Sequence, residues 1–267
     1  MCEIFGFTSK KEEKINEYLK LFFSHCDFHP DGWGIANIKN KTPTIQKEPK
    51  KAINSEYLIN RLKEPILAKD LLAHIRYATI GCMNDKNCHP FIEKDKTGRT
   101  WTLIHNGTVF QCQKLNKYIQ TQKGETDSER LLLHIINEIN EKEQKNKLSN
   151  EELFKTLDKV IENITKNNKI NIILHNGEIM YVHTNLKNTL HCQKNNNHII
   201  FSTLPLNDEK WEKVPLNTLL AYKDGKQIHK GKKHKNEYIE TKEDLELLAK
   251  LEEEFRKHPC GNHCRLN

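Results

Sequence analysis

Apolar and polar positions along the 267-residue chain recur with two different periods, and each change of period marks an element. Residues 2–8 (Cys-Glu-Ile-Phe-Gly-Phe-Thr) alternate as a strand does. Ser9 and Glu12 then have capping-box spacing, ahead of Ile15, Tyr18, Leu19, Phe22 and Phe23 at helical intervals. A second helix is expected over 56–63, and short β-prone runs over 71–75 and 100–104. Thr126 with Glu129 caps a third helix, with Leu131, Leu132, Ile135, Ile136 and Ile139 on its apolar face. Ser149 with Glu152 caps a fourth, carrying Leu153, Leu157, Val160, Ile161 and Ile164. Four β runs follow, at 170–175, 178–183, 198–203 and 219–222, and Asp224-Gly225 supplies a hairpin turn after the last. Helices in pairs between two groups of strands predict an α+β fold of sheets covered by helices, not a βαβ alternation. From residue 241 the chain is charged and helical, with Leu245, Leu248 and Phe255 on one side. The expected division is one domain over 2–235 and an appended tail over 236–267.

Composition narrows the function classes. No apolar run reaches the roughly 18 residues that read as a membrane span. Lys10, Lys11, Glu12 and Glu13 interrupt any secretory signal near the N-terminus. Eight cysteines, mostly isolated, read as free thiols in a reducing cytoplasm rather than a disulfide framework. The net charge of +7 is spread along the chain. A nucleic-acid binder gathers its cations into a stripe interleaved with aromatics, so no nucleic-acid partner is expected. The densest basic run, 226–235, reads as a solvated loop.

The residue with the most chemistry to offer is Cys2. Its small side chain lets a methionine aminopeptidase remove Met1, leaving a thiol and an α-amine on one residue. Their unperturbed pKa values, about 8.5 and about 7.7–8.0, allow proton exchange near neutral pH, so Cys2 would carry its own base. Four clusters accompany it. The segment 28–36 (Phe-His-Pro-Asp-Gly-Trp-Gly-Ile-Ala) has two glycines around a tryptophan, as a tight backbone approach requires. Arg76, at the end of an apolar run, suits bidentate pairing with a carboxylate or a surface ion pair. His105-Asn106-Gly107 can donate to an oxyanion, or form a plain Asn-Gly turn. The same tripeptide recurs as His175-Asn176-Gly177 between two strands, where a type I′ turn accounts for it. Asp127 opens a helix, where an acid favours the dipole or can hold an ammonium group.

In order, these residues resemble the glutaminase domain of class II glutamine amidotransferases, which are N-terminal-nucleophile hydrolases. The resemblance spans about residues 2–230. It rests on Cys2, the 29–36 segment, Arg76 with Ala78, Thr79 and Gly81, the 87–91 segment (Asn-Cys-His-Pro-Phe), 105–107, and 126–129 (Thr-Asp-Ser-Glu). The 29–36 wording looks most like the small stand-alone branch without a fused synthase. The resemblance implies a four-layer αββα sandwich. It implies attack by Cys2 on the γ-amide of glutamine, an oxyanion hole from Asn106 and the Gly107 N–H, and hydrolysis of a γ-glutamyl thioester. Arg76 would grip the substrate α-carboxylate, Asp127 its α-ammonium, and Thr79 and His89 would lie against substrate. Better-known members have tryptophan and histidine where this chain has Tyr77 and Ile80, which bears on substrate identity.

The expected partner is glutamine or a γ-glutamyl small molecule, with ammonia passed, if at all, to a separate synthase chain. Two alternatives are a hydrolase of larger γ-glutamyl conjugates and a non-catalytic γ-glutamyl-ligand domain. No cofactor is implied. His258, Cys260, His263 and Cys264 offer soft ligands, but at a spacing unlike a common zinc module, so a flexible terminus and no metal are expected.

Overall fold

A computed structural model of the chain describes residues 2–143 and 147–257. The first half runs β1 (Glu3–Lys14), α1 (Asn16–Ser24), β2 (Trp33–Lys39), β3 (Thr42–Glu48), α2 (Glu56–Arg61), β4 (Leu67–Ile75), β5 (Phe91–Lys94) and β6 (Thr100–Thr108). Two long helices follow, α3 (Asp127–Lys142) and α4 (Asn150–Ile164). Then come β7 (Lys169–His175), β8 (Met180–His183), β9 (His191–Lys194), β10 (His198–Ser202), β11 (Glu212–Lys213), β12 (Leu220–Lys223), β13 (Lys226–Lys230) and α5 (Lys242–Lys257).

The strands form two antiparallel sheets, ordered β11-β9-β10-β1-β4-β2-β3 and β13-β12-β8-β7-β6-β5. Alternation along β1 shows how the layers are made: Ile4 faces the second sheet, while Phe5 and Phe7 face α1. Between the sheets lie Ile4, Leu72, Ile104, Ile173, Val182 and Phe201. Outside the first sheet, Leu19 and Phe22 of α1 and Leu58 of α2 pack on Phe5, Leu71 and Ile75. Outside the second, Leu131 and Ile135 of α3 and Leu157 and Ile161 of α4 cover Trp101, Leu103, Ile170 and Ile172. The stack is helix, sheet, sheet, helix, the αββα sandwich of N-terminal-nucleophile hydrolases. Central strand β7 is buried on both faces, with Lys169, Asn171 and His175 among its buried residues; full burial of each of its apolar side chains is worth about 1.5–3 kcal/mol.

Helix caps are where expected in α3 and α4: the Thr126 side chain accepts from Glu129 N, and Ser149 with Glu152 forms a complete capping box. The Ser9–Glu12 pattern misleads. Ser9 is buried in β1, its hydroxyl donating to the Lys11 carbonyl at 2.5 Å, and β1 runs on to Lys14 beside β4. Strand pairing wins there over a local helix cap. Helix α1 instead begins at Asn16, whose amide donates to Leu62 O and Glu64 O while its oxygen accepts from Ile66 N.

The two Asn-Gly tripeptides part company. His105-Asn106-Gly107 is inside β6, Asn106 opposite Asn171 and Gly107 opposite Ile170, and makes no turn. His175-Asn176-Gly177 does begin a turn, but only Gly177 has positive φ, at 92°, so it is not type I′, which needs both central residues there. Asp224 (φ 53°) and Gly225 (φ 70°) do meet that requirement, between β12 and β13.

After β13 the chain returns across the body. Tyr238 N donates to Asn185 O, and α5 buries Leu251 and Phe255. The histidine–cysteine cluster at 258–264 lies outside the described residues, as does Met1. Among the described residues no helix is long and apolar enough to cross a membrane.

Candidate active site

Strand register puts the cysteine beside the arginine. In β1 and β4 Glu3 is opposite Ile75, so Cys2 meets the residues just past β4. Its Sγ stands 3.4 Å from Tyr77 O and accepts from Tyr77 N at 3.4 Å. Burial raises the thiol pKa, against the Tyr77 backbone and the nearby Arg76 cation. The resting group is therefore a thiol that needs a base.

Arg76 is buried and spends three hydrogen bonds on the turn that follows it, to Ile80 O, Gly81 O and Cys82 O at 2.9, 3.0 and 3.3 Å. Of its five N–H donors, two are left for a ligand. The same turn is pinned by Asp31, whose Oδ2 accepts from Ala78 N at 2.7 Å. The glycines of the 28–36 segment are explained by close packing: a Cβ on Gly34 would meet His89 O at 2.0 Å. Asn87 ties the turn to the start of α3, donating to Cys82 O and the Glu125 carboxylate and accepting from Glu125 N.

Strand β6 supplies the tripeptide. The side-chain oxygen of Asn106 is buried and has no hydrogen-bond partner among the described residues. Gly107 admits no side chain, because a Cβ would lie 1.9 Å from Lys169 O. His105 is held on both sides, Nδ1 at 2.9 Å from Ser128 Oγ and Nε2 at 3.2 Å from Lys169 O. Burial lowers the pKa of His105, and lowers those of His74 and His89 far more, so all three are neutral. His74 and His89 stack with ring centres 4.0 Å apart, and neither ring nitrogen of His89 has a hydrogen-bond partner among the described residues. Asp127, the first residue of α3, accepts from Val109 N and Ser128 N at 2.8 and 2.9 Å.

One cavity of about 160 Å³ gathers these groups. Cys2, Arg76, Thr79, His89, Asn106, Gly107 and Asp127 all line it. The sequence reading missed three other walls. Lys169, buried at the head of β7, bonds Glu240 at 3.1 Å, and burial lowers its pKa. Leu248 and Glu252 come from α5. Glu252 takes the Tyr77 hydroxyl, and Arg256 forks onto Asp31 at 2.5 and 2.8 Å. Where position 80 offers only buried Ile80, a carboxylate reaches the pocket from α5 instead. A lysine heading an apolar strand was one visible signal; the spacing of Leu248 and Glu252, one helical turn apart, was another.

A half-buried thiol just ahead of a central strand, with Asn106 and Gly107 lining the same pocket, is an arrangement that suits covalent attack on a carbonyl. Residues 1–194 match the family described as glutamine amidotransferases class-II, and the chain belongs to that family of enzymes. A Haemophilus influenzae protein provisionally named a glutamine amidotransferase is 27% identical over 255 residues, covering 85% of this chain and 86% of its own. A glutamine–fructose-6-phosphate aminotransferase of Sulfolobus acidocaldarius is 30% identical over 144 residues, 52% of this chain but 23% of the relative. Among solved structures, the glutamine phosphoribosylpyrophosphate amidotransferase of B. subtilis superposes with a TM-score of 0.62 at 16% identity, over 85% of this chain and 48% of that one.

Proposed function

We propose that the chain hydrolyses the γ-amide of free glutamine through a thioester on Cys2. The observation that carries this reading is the convergence of all seven residues named above on one small cavity. With Met1 removed, the Cys2 α-amine takes the thiol proton as sulfur attacks the γ-carbonyl carbon. Asn106 and the Gly107 N–H stabilise the oxyanion. The C–N bond then breaks, the ammonium returning its proton to the departing ammonia. Water adds to the thioester and releases glutamate and the thiol. Arg76 offers its two remaining donors to the α-carboxylate, Asp127 faces the α-ammonium, and Thr79 and His89 border the substrate.

Cavity size favours glutamine over larger conjugates. About 160 Å³ lies below the roughly 300–1,000 Å³ of pockets for drug-sized ligands, and Leu248 and Glu252 of α5 supply part of its wall. A cytoplasmic setting and a separate ammonia-accepting chain belong to the same proposal. The test is mass spectrometry after incubation with a diazoketone analogue of glutamine. The expected product is a single adduct on an N-terminal Cys2, absent from Cys2→Ala, which should fold and have no turnover. Turnover by Cys2→Ala, or a processed Cys2 that stays unlabelled, would overturn the mechanism.

A further inference from the structure

A second cavity, of about 710 Å³, shares Asp127 with the first, and it is lined by Arg130, a cation with no ion-pair partner among the described residues. Asp127, Arg130 and His134 recur at i, i+3 and i+7 along α3, making one polar stripe on a helix that otherwise packs Leu131, Leu132, Ile135 and Ile136 into the core. All three line the cavity. Arg130 is 6% exposed, and its Nε is buried without a hydrogen-bond partner. No hydrogen bond or ion pair to its guanidinium is made among the described residues. Asp127, three residues away, makes no ion pair with it; its oxygens instead accept from Val109 N and Ser128 N.

The surroundings favour negative charge. Lys114 and Lys166 stand exposed at the rim, so three cations face one carboxylate that is already engaged. His134 Nδ1 is also buried without a hydrogen bond, the Glu138 carboxylate standing 3.8 Å away, beyond bonding reach. The backbone carbonyls at the end of α4 that would repel an anion are occupied: Asn168 donates to both Ile164 O and Lys166 O. A buried, unpaired guanidinium is costly to keep, and its fork of donors matches phosphate and carboxylate geometry.

We infer that this cavity is a binding site for a small metabolite bearing a phosphate or carboxylate group, held by Arg130 with Lys114 and Lys166. Its volume is within the range of small-molecule sites. Asp127 belongs to both cavities, so the anion sits one side chain from the candidate glutamine pocket. The inference does not depend on what Cys2 does.

Calorimetric titration and thermal melting of the full chain test it, with inorganic phosphate and citrate as separate probes and sodium chloride at matched ionic strength as the control. Saturable binding of phosphate identifies a phosphate site, and of citrate alone a carboxylate site. Arg130→Met should weaken that binding about 10- to 100-fold. It should leave the ligand-free melting temperature unchanged or higher, because no folded-state partner is lost. A purely structural arginine would lower it. Lys114→Gln with Lys166→Gln, both on the exposed rim, should weaken binding severalfold and decides the matter should Arg130→Met not fold. The inference is overturned by no saturable binding of either probe, by an equal response to chloride, or by undiminished affinity in the folded variants.

Discussion

Replacing Arg256 with glutamine should loosen the pocket from a distance, and the size of the effect follows from geometry. Arg256 meets Asp31 through two hydrogen bonds, 2.5 and 2.8 Å, and its guanidinium lies 5.2 Å from the Tyr77 ring centre. The Asp31 side chain is 2% exposed and that of Arg256 37%. Removing one partner of a fully buried pair costs about 3–5 kcal/mol. Water reaches the arginine here and replaces part of its effect, so about 1.5–3 kcal/mol is expected. Asp31 also holds Ala78 N, on the turn that carries Arg76 and Thr79, so the same change should raise KM for glutamine more than it lowers kcat. The assay is a double-mutant cycle of Arg256→Gln and Asp31→Asn, read by urea midpoints at constant m and by glutaminase kinetics. A coupling energy of about 1–2 kcal/mol is expected for a contacting pair. Coupling below about 0.3 kcal/mol with unchanged KM would show that α5 is not latched to the pocket, and the reasoning would fail.

Three further outcomes are expected. Asn106→Ala should lower kcat by about 10²–10³ with little change in KM, the mark of a donor used in the transition state, and a change confined to KM would assign it to substrate binding. Gly107→Ala should destabilise the chain and abolish activity, since its Cβ would press on Lys169 O and His105 Nε2 and part β6 from β7; a variant of wild-type melting temperature would contradict the packing. Stability should fall steeply in acid. His74, His89 and His183 are all lowered by burial, His183 to about 3, so the unfolded chain takes up their protons as pH drops through about 6.5 while the folded chain does not. The stability present above that pH is lost below it, at about 4 kcal/mol per pH unit for three histidines. His25, raised by its hydrogen bond to Glu3, acts with the contrary sign, its contribution full below about 6.5 and fading as pH rises through its folded value. Urea midpoints at pH 8, 7, 6 and 5 check this; His89→Phe, which breaks no hydrogen bond, should remove about 1.4 kcal/mol per pH unit of the slope, and an identical slope would refute the assignment.

What was legible in the sequence was local or ordered along it. Periodicity found α3, α4 and the buried strands, because both their faces or one clear stripe are apolar. The order of Cys2, Arg76, Asn106 and Asp127 suggested a shared pocket, and all four do line one cavity. Misreadings arose where a distant partner overrode a local signal. The Ser9–Glu12 spacing was absorbed by pairing with β4. Of the two readings open for Asn106-Gly107, pairing with β7 excludes the turn. Arg130 gave no signal at all: an arginine on a predicted helix reads as solvent-facing, whereas in the fold it lines a cavity together with residues 109–116.

The fork between Asp31 and Arg256 joins positions 225 residues apart. At about 5–20 residues per second, a ribosome needs about 11–45 s to pass from one to the other. For that time the pocket beside the thiol lacks one wall, and the aspartate that steadies the neighbouring turn awaits its cation. A chain released early, short of residue 248, would lack the wall that Leu248 and Glu252 supply. Helix α5 thus brings the latest-made of the residues that line this pocket, and its arrival completes the wall.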